Sequence, residues 1–321
     1  MNRKYDIIAL GELLIDFTMN GTSSGGNSLF EACPGGAPCN VLSMANKYGK
    51  KTSFTGKVGK DIFGTMLKET LVKAGIDTSH LYMDDQVNTT LAFVRNLDDG
   101  ERAFSFYRNP GADMMLKEEE IQEEYIKEGK IFHFGTLSMT HEGVRKATVK
   151  AAGFAKKNHL LISFDPNYRP LLWKSPEEAK EQMDYGFRSC DILKIADNEL
   201  QFFTGKEDNE EGMKALLEAY PIPLVFLTLG KEGSRAYYKG TRTEAPAFRV
   251  NAIDTTGAGD TFMGVALSMI SDYGLENLTG QQIEEILVQA NAAAAIVTTR
   301  KGAVNSMPDR KETEELIRRK K

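Results

Sequence analysis

The sequence is poor in cysteine and histidine, and it has no long apolar run free of charged residues. It contains three cysteines and four histidines among 321 residues. An odd, sparse set of cysteines without metal-ligand spacing argues against a disulfide scaffold and is typical of reduced thiols in the cytosol. Carboxylates at Asp6, Glu12 and Asp16 interrupt the apolar N-terminal segment, which argues against a signal peptide or membrane span there. We therefore expect a cytoplasmic protein with no membrane partner.

The sequence also lacks an excess of positive charge. It has 40 lysines and arginines against 45 aspartates and glutamates, a formal net charge of −5. This balance argues against a nucleic-acid partner, whose phosphates favour a basic surface. The short basic run at 318–321 is more typical of the solvated end of a helix than of a binding patch. Small molecules are the expected partners.

What the sequence does contain is a regular alternation of short apolar strands and amphipathic helices. A first strand is predicted at 5–11. Further strands are predicted at 131–135, 160–165, 191–196 and 224–230, alternating with helices at 117–128, 142–157, 176–188 and 209–219. Other helices are predicted at 61–75, 258–273, 280–299 and from about 309. This alternation predicts a mostly parallel sheet sandwiched by helices, a Rossmann-like α/β fold.

Two segments, at about 12–34 and 88–112, do not fit this alternation. Residues 91–108 carry two alternating apolar segments around Asp98-Asp99-Gly100, which predicts a β-hairpin. We expect both segments to form a small β appendage beside the main sheet, within a single domain that spans residues 1–321. The pattern at 234–250 predicts an antiparallel segment with a turn at Lys239-Gly240.

Several familiar site patterns are absent or incomplete. No Gly-Lys pair precedes serine or threonine at Walker A spacing, and Phe262 stands where a dinucleotide fingerprint needs its third glycine. Residues 21–25 match the G-x-S-x-G nucleophile pattern, but the sequence after them predicts no helix. The four histidines form no metal-ligand pattern, and we expect them in loops or in the core.

Polar and glycine-rich segments instead follow the predicted strands. They occupy 164–169, 195–199, 229–233 and 254–260. In a parallel α/β sheet, ligands bind beyond the carboxyl ends of the strands, so these segments should meet at one edge. The sequence therefore predicts a ligand site there.

The segment 254–264 combines an anion site with a carboxylate. Gly257, Ala258 and Gly259 precede Asp260, and apolar residues at helical spacing follow. The unpaired N–H groups and the dipole of a helix N-terminus favour an anion, and small residues would let a phosphoryl group approach them. Asp260 could then take a proton from an attacking hydroxyl. The alternative is a surface aspartate that only complements the dipole behind a flexible turn.

A second glycine cluster, at 32–40, also opens a predicted helix. Gly35 and Gly36 would permit close approach of a ligand, and Asn40 offers both a donor and an acceptor, as sugar hydroxyls require. Asp16 adds an acceptor that could hold two neighbouring hydroxyls. The alternative is a tight turn at the glycines with Asn40 as a helix cap, and this segment alone favours that alternative.

Residues 34–59 and 254–264 resemble the two signature regions of the PfkB, or ribokinase-like, carbohydrate kinases. Their order, spacing and intervening strand–helix alternation agree with the family over nearly the whole chain. Within the family, the segments 11–17, 106–116 and 165–173 most resemble fructokinases. The resemblance implies a Rossmann-like domain with a small β-sheet lid that closes over the sugar and often supports a homodimer. It also implies transfer of a phosphoryl group from ATP, with Mg²⁺, to a sugar hydroxyl.

The resemblance also implies roles for individual residues. Asp260 would be the catalytic base, and the backbone of Gly257, Ala258 and Gly259 would form the anion hole. The sugar would be held by Asp16, Gly35, Gly36 and Asn40, and Arg169 would approach the sugar or the transferred phosphate. Thr228, Gly230, Gly233 and Asn291 would border ATP. A monovalent cation such as K⁺ would bind near Asp254, Thr256, Gly302 and Ser306.

The sequence departs from the family pattern at three positions. Ala196 stands where the N-x-x-E motif has asparagine, so Glu199 alone remains to organise metal-bound water around Mg²⁺. Leu42 and Val265 replace smaller residues of the two signatures, which should alter only packing.

We expect D-fructose as the substrate and fructose 6-phosphate as the product, and other assignments stay open at this stage. 2-Keto-3-deoxygluconate is the nearest alternative, because the run Asp165-Pro166-Asn167-Tyr168-Arg169 also resembles kinases of that sugar acid. Its carboxylate would favour paired arginines, which Arg108 and Arg169 could supply. Ribose and nucleosides fit less well. A non-catalytic sugar-binding regulator would be expected to lose the base, and a nicotinamide dehydrogenase would need a glycine fingerprint after the first strand, which 9–16 lacks.

Overall fold

The structure is a computed structural model that describes residues 3–96 and 102–319. Within these ranges, nine strands form a large sheet and four strands form a separate small sheet. The strands are β1 (Tyr5–Leu10), β2 (Leu14–Thr22), β3 (Ser28–Gly35), β4 (Thr52–Gly59), β5 (Asp77–Asp84), β6 (Leu91–Asn96), β7 (Arg102–Tyr107), β8 (Gly129–Gly135), β9 (Leu161–Asp165), β10 (Ile192–Ala196), β11 (Leu224–Thr228), β12 (Ser234–Tyr238) and β13 (Thr241–Ala245). The helices are α1 (Ala37–Lys47), α2 (Ile62–Lys73), α3 (Glu123–Ile126), α4 (Glu142–Lys157), α5 (Pro176–Ser189), α6 (Asp197–Thr204), α7 (Asn209–Ala219), α8 (Ala258–Tyr273), α9 (Gly280–Val297) and α10 (Arg310–Arg319).

The large sheet has the strand order β13-β12-β11-β10-β9-β8-β1-β4-β5. Neighbours from β11 to β5 are parallel, and β12 and β13 add an antiparallel hairpin at one edge. Parallel strands joined through helices need both faces covered, which explains their continuous apolar runs. The α/β fold with a mostly parallel sheet is therefore confirmed.

Two apolar cores cover the two faces of the large sheet. Ile7 and Ile8 of β1 are both fully buried but belong to different cores, because successive strand residues point to opposite faces. The core around Ile7 includes buried residues of α1, α8 and α9, and the core around Ile8 includes residues of α4 and α5. Across the described residues, no helix is long and apolar enough to cross a bilayer.

The small sheet is built from the two segments that interrupt the strand–helix alternation. Its strand order is β3-β2-β6-β7, with β2 antiparallel to β3 and parallel to β6. The G-x-S-x-G match at 21–25 lies around the β2–β3 turn, which leads into a strand rather than a helix. β6 and β7 pair in antiparallel fashion as expected, and the predicted turn Asp98-Asp99-Gly100 lies outside the described residues.

Two predicted elements are wrong in extent. The helix predicted at 117–128 is replaced by a 3₁₀ turn at Glu118–Glu120, followed by the four-residue α3. The Glu120 carboxylate accepts the N–H of Lys117, which closes the turn, and Ile121 then adopts an extended backbone as it enters the core. The antiparallel segment predicted at 234–250 forms strands only as far as Ala245, because Pro246 has no N–H to donate to a sheet.

Candidate active site

The polar segments at the carboxyl ends of the large sheet line a cleft with a volume of about 490 Å³. The small sheet and the N-termini of α1 and α8 supply other walls. Sixteen of the residues predicted for the site line this cleft: Asp16, Gly36, Asn40, Arg169, Glu199, Thr228, Gly230, Gly233, Asp254, Thr256, Gly257, Ala258, Gly259, Asp260, Asn291 and Gly302. Gly35, Arg108 and Ser306 are the predicted residues that lie outside its lining.

The first turn of α8 faces the cleft. Gly257 caps the helix in the left-handed region at φ 77°, and a Cβ there would lie 2.7 Å from Cβ of Ala303. Glycine is therefore required at this position for both conformation and space. Ala258, Gly259 and Asp260 begin the helix, so their N–H groups lie at its positive end. This turn can accept an anion against its backbone.

Asp260 is buried at the bottom of this turn, with 8% of its surface exposed. Its Oδ2 accepts a hydrogen bond of 2.7 Å from Nδ2 of Asn40, and Nδ2 of Asn167 lies 3.5 Å from its Oδ1. Burial, with a further contribution from Asp165, raises the pKa of Asp260 to about 6. Such a carboxylate is mostly ionised at neutral pH and is well suited to accept a proton.

The N-terminus of α1 brings Asn40 to Asp260. Gly36, at φ 131°, precedes the helix, and a Cβ on it would lie 2.4 Å from the carbonyl oxygen of Glu12. The Glu12 carboxylate accepts the N–H of Ala37, the first residue of α1. Burial raises the pKa of Glu12 to about 7. Because Gly36 has no side chain, α1 can begin directly against Glu12, in the loop that joins β1 of the large sheet to β2 of the small sheet.

Asp16 reaches the cleft from β2 of the small sheet. Its partner in the β2–β3 register is Cys33, which also lines the cleft. A Cβ on Gly35 would lie 2.3 Å from Oδ2 of Asp16. Gly35 thus leaves room for the carboxylate, although its own atoms lie outside the cleft lining.

Lys194 and Asn167 line the cleft, and Asp165 bonds Lys194, but sequence reasoning did not single out these three residues. Lys194 of β10 and Asp165 at the end of β9 are buried, with Nζ 3.1 Å from Oδ1. The N–H of Asn167 donates to the same Oδ1, and a Cβ on Gly259 would lie 3.1 Å from Nζ of Lys194. A lysine inside the apolar strand 191–196 was the signal that could have revealed this group.

The loop after β11 provides the predicted nucleotide side of the cleft. Gly230 and Gly233 both have positive φ, and a Cβ on Gly233 would lie 2.2 Å from the carbonyl oxygen of Ala245. Asn291 of α9 donates to that carbonyl and accepts a hydrogen bond from the hydroxyl of Ser234. Asn291 therefore holds the loop that follows Thr228, in addition to lining the cleft.

The Glu199 carboxylate joins two loops of the cleft wall. Its Oε1 accepts the N–H of Tyr168 and its Oε2 accepts the N–H of Ala196, both at 2.8 Å. Within the described residues, no cluster of three histidine, cysteine or acidic side chains has metal-ligand geometry. The buried His133 bonds Ser163, and burial lowers its pKa to about 3, as expected for a core histidine.

The residues predicted for a monovalent cation come together in part. Asp254 accepts the N–H groups of Thr256 and Gly302 at 2.9 and 3.2 Å, which joins the two loops. The hydroxyl of Ser306 donates to the carbonyl oxygen of Lys301 instead of facing the cleft.

Arg108 does not take the place predicted for it beside Arg169. Its guanidinium is buried in bonds to Asp113, Thr140 and the carbonyl oxygen of Leu137. Arg169 is exposed and lines the cleft. The structure therefore does not bring the two arginines together as a carboxylate clamp.

The chain is similar in sequence and in fold to known fructokinases. Fructokinase-1 of Zea mays is 40% identical over 313 residues, which cover 97% of each chain. The structure of an ATP-bound fructokinase from Xylella fastidiosa superposes with a TM-score of 0.88 at 29% identity and covers 98% of both chains. A fructokinase double mutant from Vibrio cholerae, with fructose, ADP and potassium ion bound, also gives 0.88 at 29% identity, covering 98% of this chain and 99% of that one.

A sequence model of the pfkB family carbohydrate kinases matches residues 4–310, which include the glycine turn before α1 and the first turn of α8. The chain therefore belongs to the pfkB family of carbohydrate kinases.

Proposed function

We propose that this protein is an ATP-dependent fructokinase that converts D-fructose to fructose 6-phosphate. The observation that carries the proposal is the buried Asp260 in the first turn of α8, beside backbone N–H groups that can accept a phosphoryl group. The fructokinase relatives and the fructose- and ADP-bound neighbour support the choice of sugar and nucleotide. The geometry of the cleft supports the roles proposed below for individual residues.

Asp260 is the proposed general base. The C6 oxygen of fructose forms a bond to the γ-phosphorus while the bond from that phosphorus to ADP breaks. The proton of the hydroxyl passes to the Asp260 carboxylate. Asn40 fixes the orientation of this carboxylate through its 2.7 Å hydrogen bond. A strong base is not needed, because the hydroxyl becomes acidic only as its bond to phosphorus develops.

The turn at 257–259 is the proposed anion hole. Its N–H groups lie at the positive end of α8 and would face the oxygens of the transferring phosphoryl group. Donors of this kind, aimed at charge that develops in the transition state, contribute about 3 kcal/mol each in a site that excludes water. The hydroxyl and the phosphoryl group would therefore approach Asp260 and the amides from opposite sides.

The sugar would lie between the small sheet and α1. Asp16 and Asn40 line that part of the cleft and offer acceptors and donors for neighbouring hydroxyls. We propose that the small sheet acts as a lid that closes over the sugar, which would limit hydrolysis of ATP by water. Arg169 also lines the cleft, and its charge lowers the pKa of Asp260, against the larger opposing effect of burial.

We propose that Mg²⁺ binds with the nucleotide, because this ion takes most of its ligands in kinases from phosphates and water. It would supply charge neutralisation to the phosphates when bound. Each oxygen of Glu199 accepts one backbone N–H and retains a lone pair that could orient a metal-bound water. Thr228, Gly230 and Gly233 would border ATP, and K⁺ would bind near Asp254, Thr256 and Gly302, where oxygen ligands suit a hard cation.

The nearest alternative substrate is 2-keto-3-deoxygluconate. Its carboxylate would favour paired arginines, and the engagement of Arg108 with Asp113 disfavours such a pair. A coupled ADP-release assay with fructose, 2-keto-3-deoxygluconate, ribose and adenosine tests the assignment. We expect the highest kcat/KM with fructose. Turnover of none of the four would support a non-catalytic sugar-binding regulator instead.

A homodimer through the small sheet is a further proposal, supported by exposed apolar residues on that sheet. Met19, Leu29 and Phe30 are 36%, 47% and 42% exposed. Light scattering after size exclusion would measure the mass directly. A cytoplasmic location remains a prediction that rests on the sparse cysteines.

A further inference from the structure

Lys194 is a buried cation beside the proposed anion hole. It is 6% exposed, and it lines the cleft from β10. Because a Cβ on Gly259 would lie 3.1 Å from its Nζ, the ammonium lies directly against the first turn of α8. Lys194 and the N–H groups of this turn therefore approach the same part of the cleft.

The hydrogen bonds of this ammonium are incomplete. An ammonium has three N–H donors, and among the described residues Asp165 is the acceptor within hydrogen-bond distance, at 3.1 Å. Burying a charge is costly unless hydrogen bonds satisfy it. The remaining donors of Lys194 are thus available to a ligand in the cleft.

Asp165 also has unused hydrogen-bonding capacity. Its Oδ1 accepts from Lys194 and from the N–H of Asn167, while its buried Oδ2 has no hydrogen-bond partner among the described residues. Lys57 of β4 provides a contrast, because it is also buried but lies 2.8 Å from Glu120 and 4.0 Å from Asp84. Lys57 also lies outside the cleft lining, whereas Lys194 faces the cleft with its unused donors.

The charges around Lys194 keep it protonated. Burial alone would lower its pKa, but the carboxylates of Asp165, Glu199 and Asp260 raise that pKa above the ordinary value. A phosphoryl group that approaches Asp260 brings further negative charge to this region, which a fixed cation would offset. Arg169 is less suited to this role because it is exposed and bonds the carbonyl oxygen of Tyr168.

We propose that the Lys194 ammonium donates a hydrogen bond to an oxygen of the transferring phosphoryl group, and that Asp165 is the positioning residue that holds Lys194 there. The proposal rests on the proposed kinase function. Lys194 transfers no proton, since the hydroxyl proton passes to Asp260. Its contribution grows as negative charge spreads over the phosphoryl oxygens in the transition state.

The test compares the variants Lys194→Met and Lys57→Met with the wild type. Calorimetry measures the Kd of Mg·ATP and of Mg·ADP without sugar, and a coupled assay measures kcat with fructose. For Lys194→Met we expect kcat to fall about 10²–10³-fold, as for loss of a donor in an oxyanion hole. We expect the Kd of ATP to rise about 10-fold or more, as for loss of a hydrogen bond between charged groups. The Kd of ADP should change less than about twofold.

The ratio of the Kd for ATP to the Kd for ADP distinguishes a contact with the γ-phosphoryl group from a merely structural role. Only ATP carries that group, so loss of the contact raises the ratio, whereas a structural defect weakens binding of both nucleotides. Lys57→Met should lower stability but leave the ratio unchanged. If Lys194→Met unfolds, the double variant Asp165→Asn, Lys194→Met removes both charges and should show the same selective loss. Equal losses for ATP and ADP, or wild-type kcat in a folded Lys194 variant, would overturn the proposal. If the wild type binds ATP but phosphorylates no sugar, the proposed function fails, while the ratio still tests Lys194.

Discussion

The two sheets of this protein meet at the cleft, but they contribute to it in different ways. The central strands of the large sheet are buried on both faces, and every residue of β4 is buried. In the small sheet, the outer half of β2 and most of β3 are exposed or half-buried. The large sheet and its helices hold Asp260, Asn40 and Lys194 in fixed positions, whereas Asp16 is carried by the small sheet.

This difference suggests that the large sheet serves phosphoryl transfer and the small sheet serves recognition of the sugar. Groups for phosphoryl transfer need fixed positions, because misplacement of a reacting group raises the barrier. Groups that recognise the sugar can lie on a sheet that moves, because closure completes the site only after the substrate binds. Changes on the large-sheet side should therefore act on kcat, and changes on the small-sheet side should act on KM for fructose.

The largest effect should come from Asp260→Asn on the large-sheet side. Loss of the base should lower kcat by about 10²–10⁴-fold, while the KM for fructose and the thermal unfolding temperature change little. The control is Asp272→Asn near the end of the same helix, where the exposed carboxylate pairs with Lys50 and lies outside the cleft lining. It should keep wild-type kcat. Near-wild-type turnover by Asp260→Asn would contradict the assignment of Asp260 as the general base.

On the small-sheet side, Asp16→Ala should mainly raise KM. The loss of two hydrogen bonds from a charged acceptor to sugar hydroxyls should raise the KM for fructose by roughly 10²-fold, with a smaller change in kcat. Steady-state kinetics at saturating ATP measures both constants. A loss confined to kcat would contradict the division between the two sheets.

A smaller effect is expected in the pH profile. Asp260 must be ionised to accept a proton, and its pKa is raised to about 6, chiefly by burial. The kcat/KM for fructose should therefore be constant above about pH 7 and fall about tenfold per pH unit well below 6. Asn40→Ala removes the hydrogen bond that lowers this pKa, so its acidic limb should move to higher pH. A wild-type profile that stays flat down to pH 5 would argue against this account.

The smallest kinetic effect should follow a change on the exposed face of the small sheet. Phe30→Ser reduces the apolar surface proposed for the dimer, and Phe30 lies outside the cleft lining. We expect a shift from dimer to monomer in light scattering, with kcat within about twofold of wild type because surface substitutions outside the site change little. A monomeric wild type would rule out the dimer proposal.

The features that could be predicted from the sequence are those with local signals. The strand–helix alternation indicates the large sheet, and the Gly-Ala-Gly turn before Asp260 indicates a helix N-terminus. The apolar pattern at 117–128 was misleading, because burial of Ile121 in an extended conformation outweighs local helix preference.

Features that depend on contacts between distant residues could not be predicted in the same way. Lys194 meets Asp165 only because β9 and β10 are neighbours in the sheet. Arg108 was expected to face the substrate, but Thr140 and the carbonyl oxygen of Leu137, 32 and 29 residues away, accept its hydrogen bonds together with the nearby Asp113. Neither partner set has a spacing in the sequence that would identify it.

The most direct test of the account is ³¹P NMR of a mixture of the wild-type protein, ATP, Mg²⁺ and fructose. The γ-phosphate signal should be replaced by a phosphomonoester signal on C6 of fructose, with one ADP formed per sugar phosphate. In the same mixture, Asp260→Asn should leave the γ-phosphate signal nearly intact. Release of inorganic phosphate without a sugar phosphate, or an unchanged spectrum with the wild type, would contradict phosphoryl transfer from ATP to fructose in this cleft.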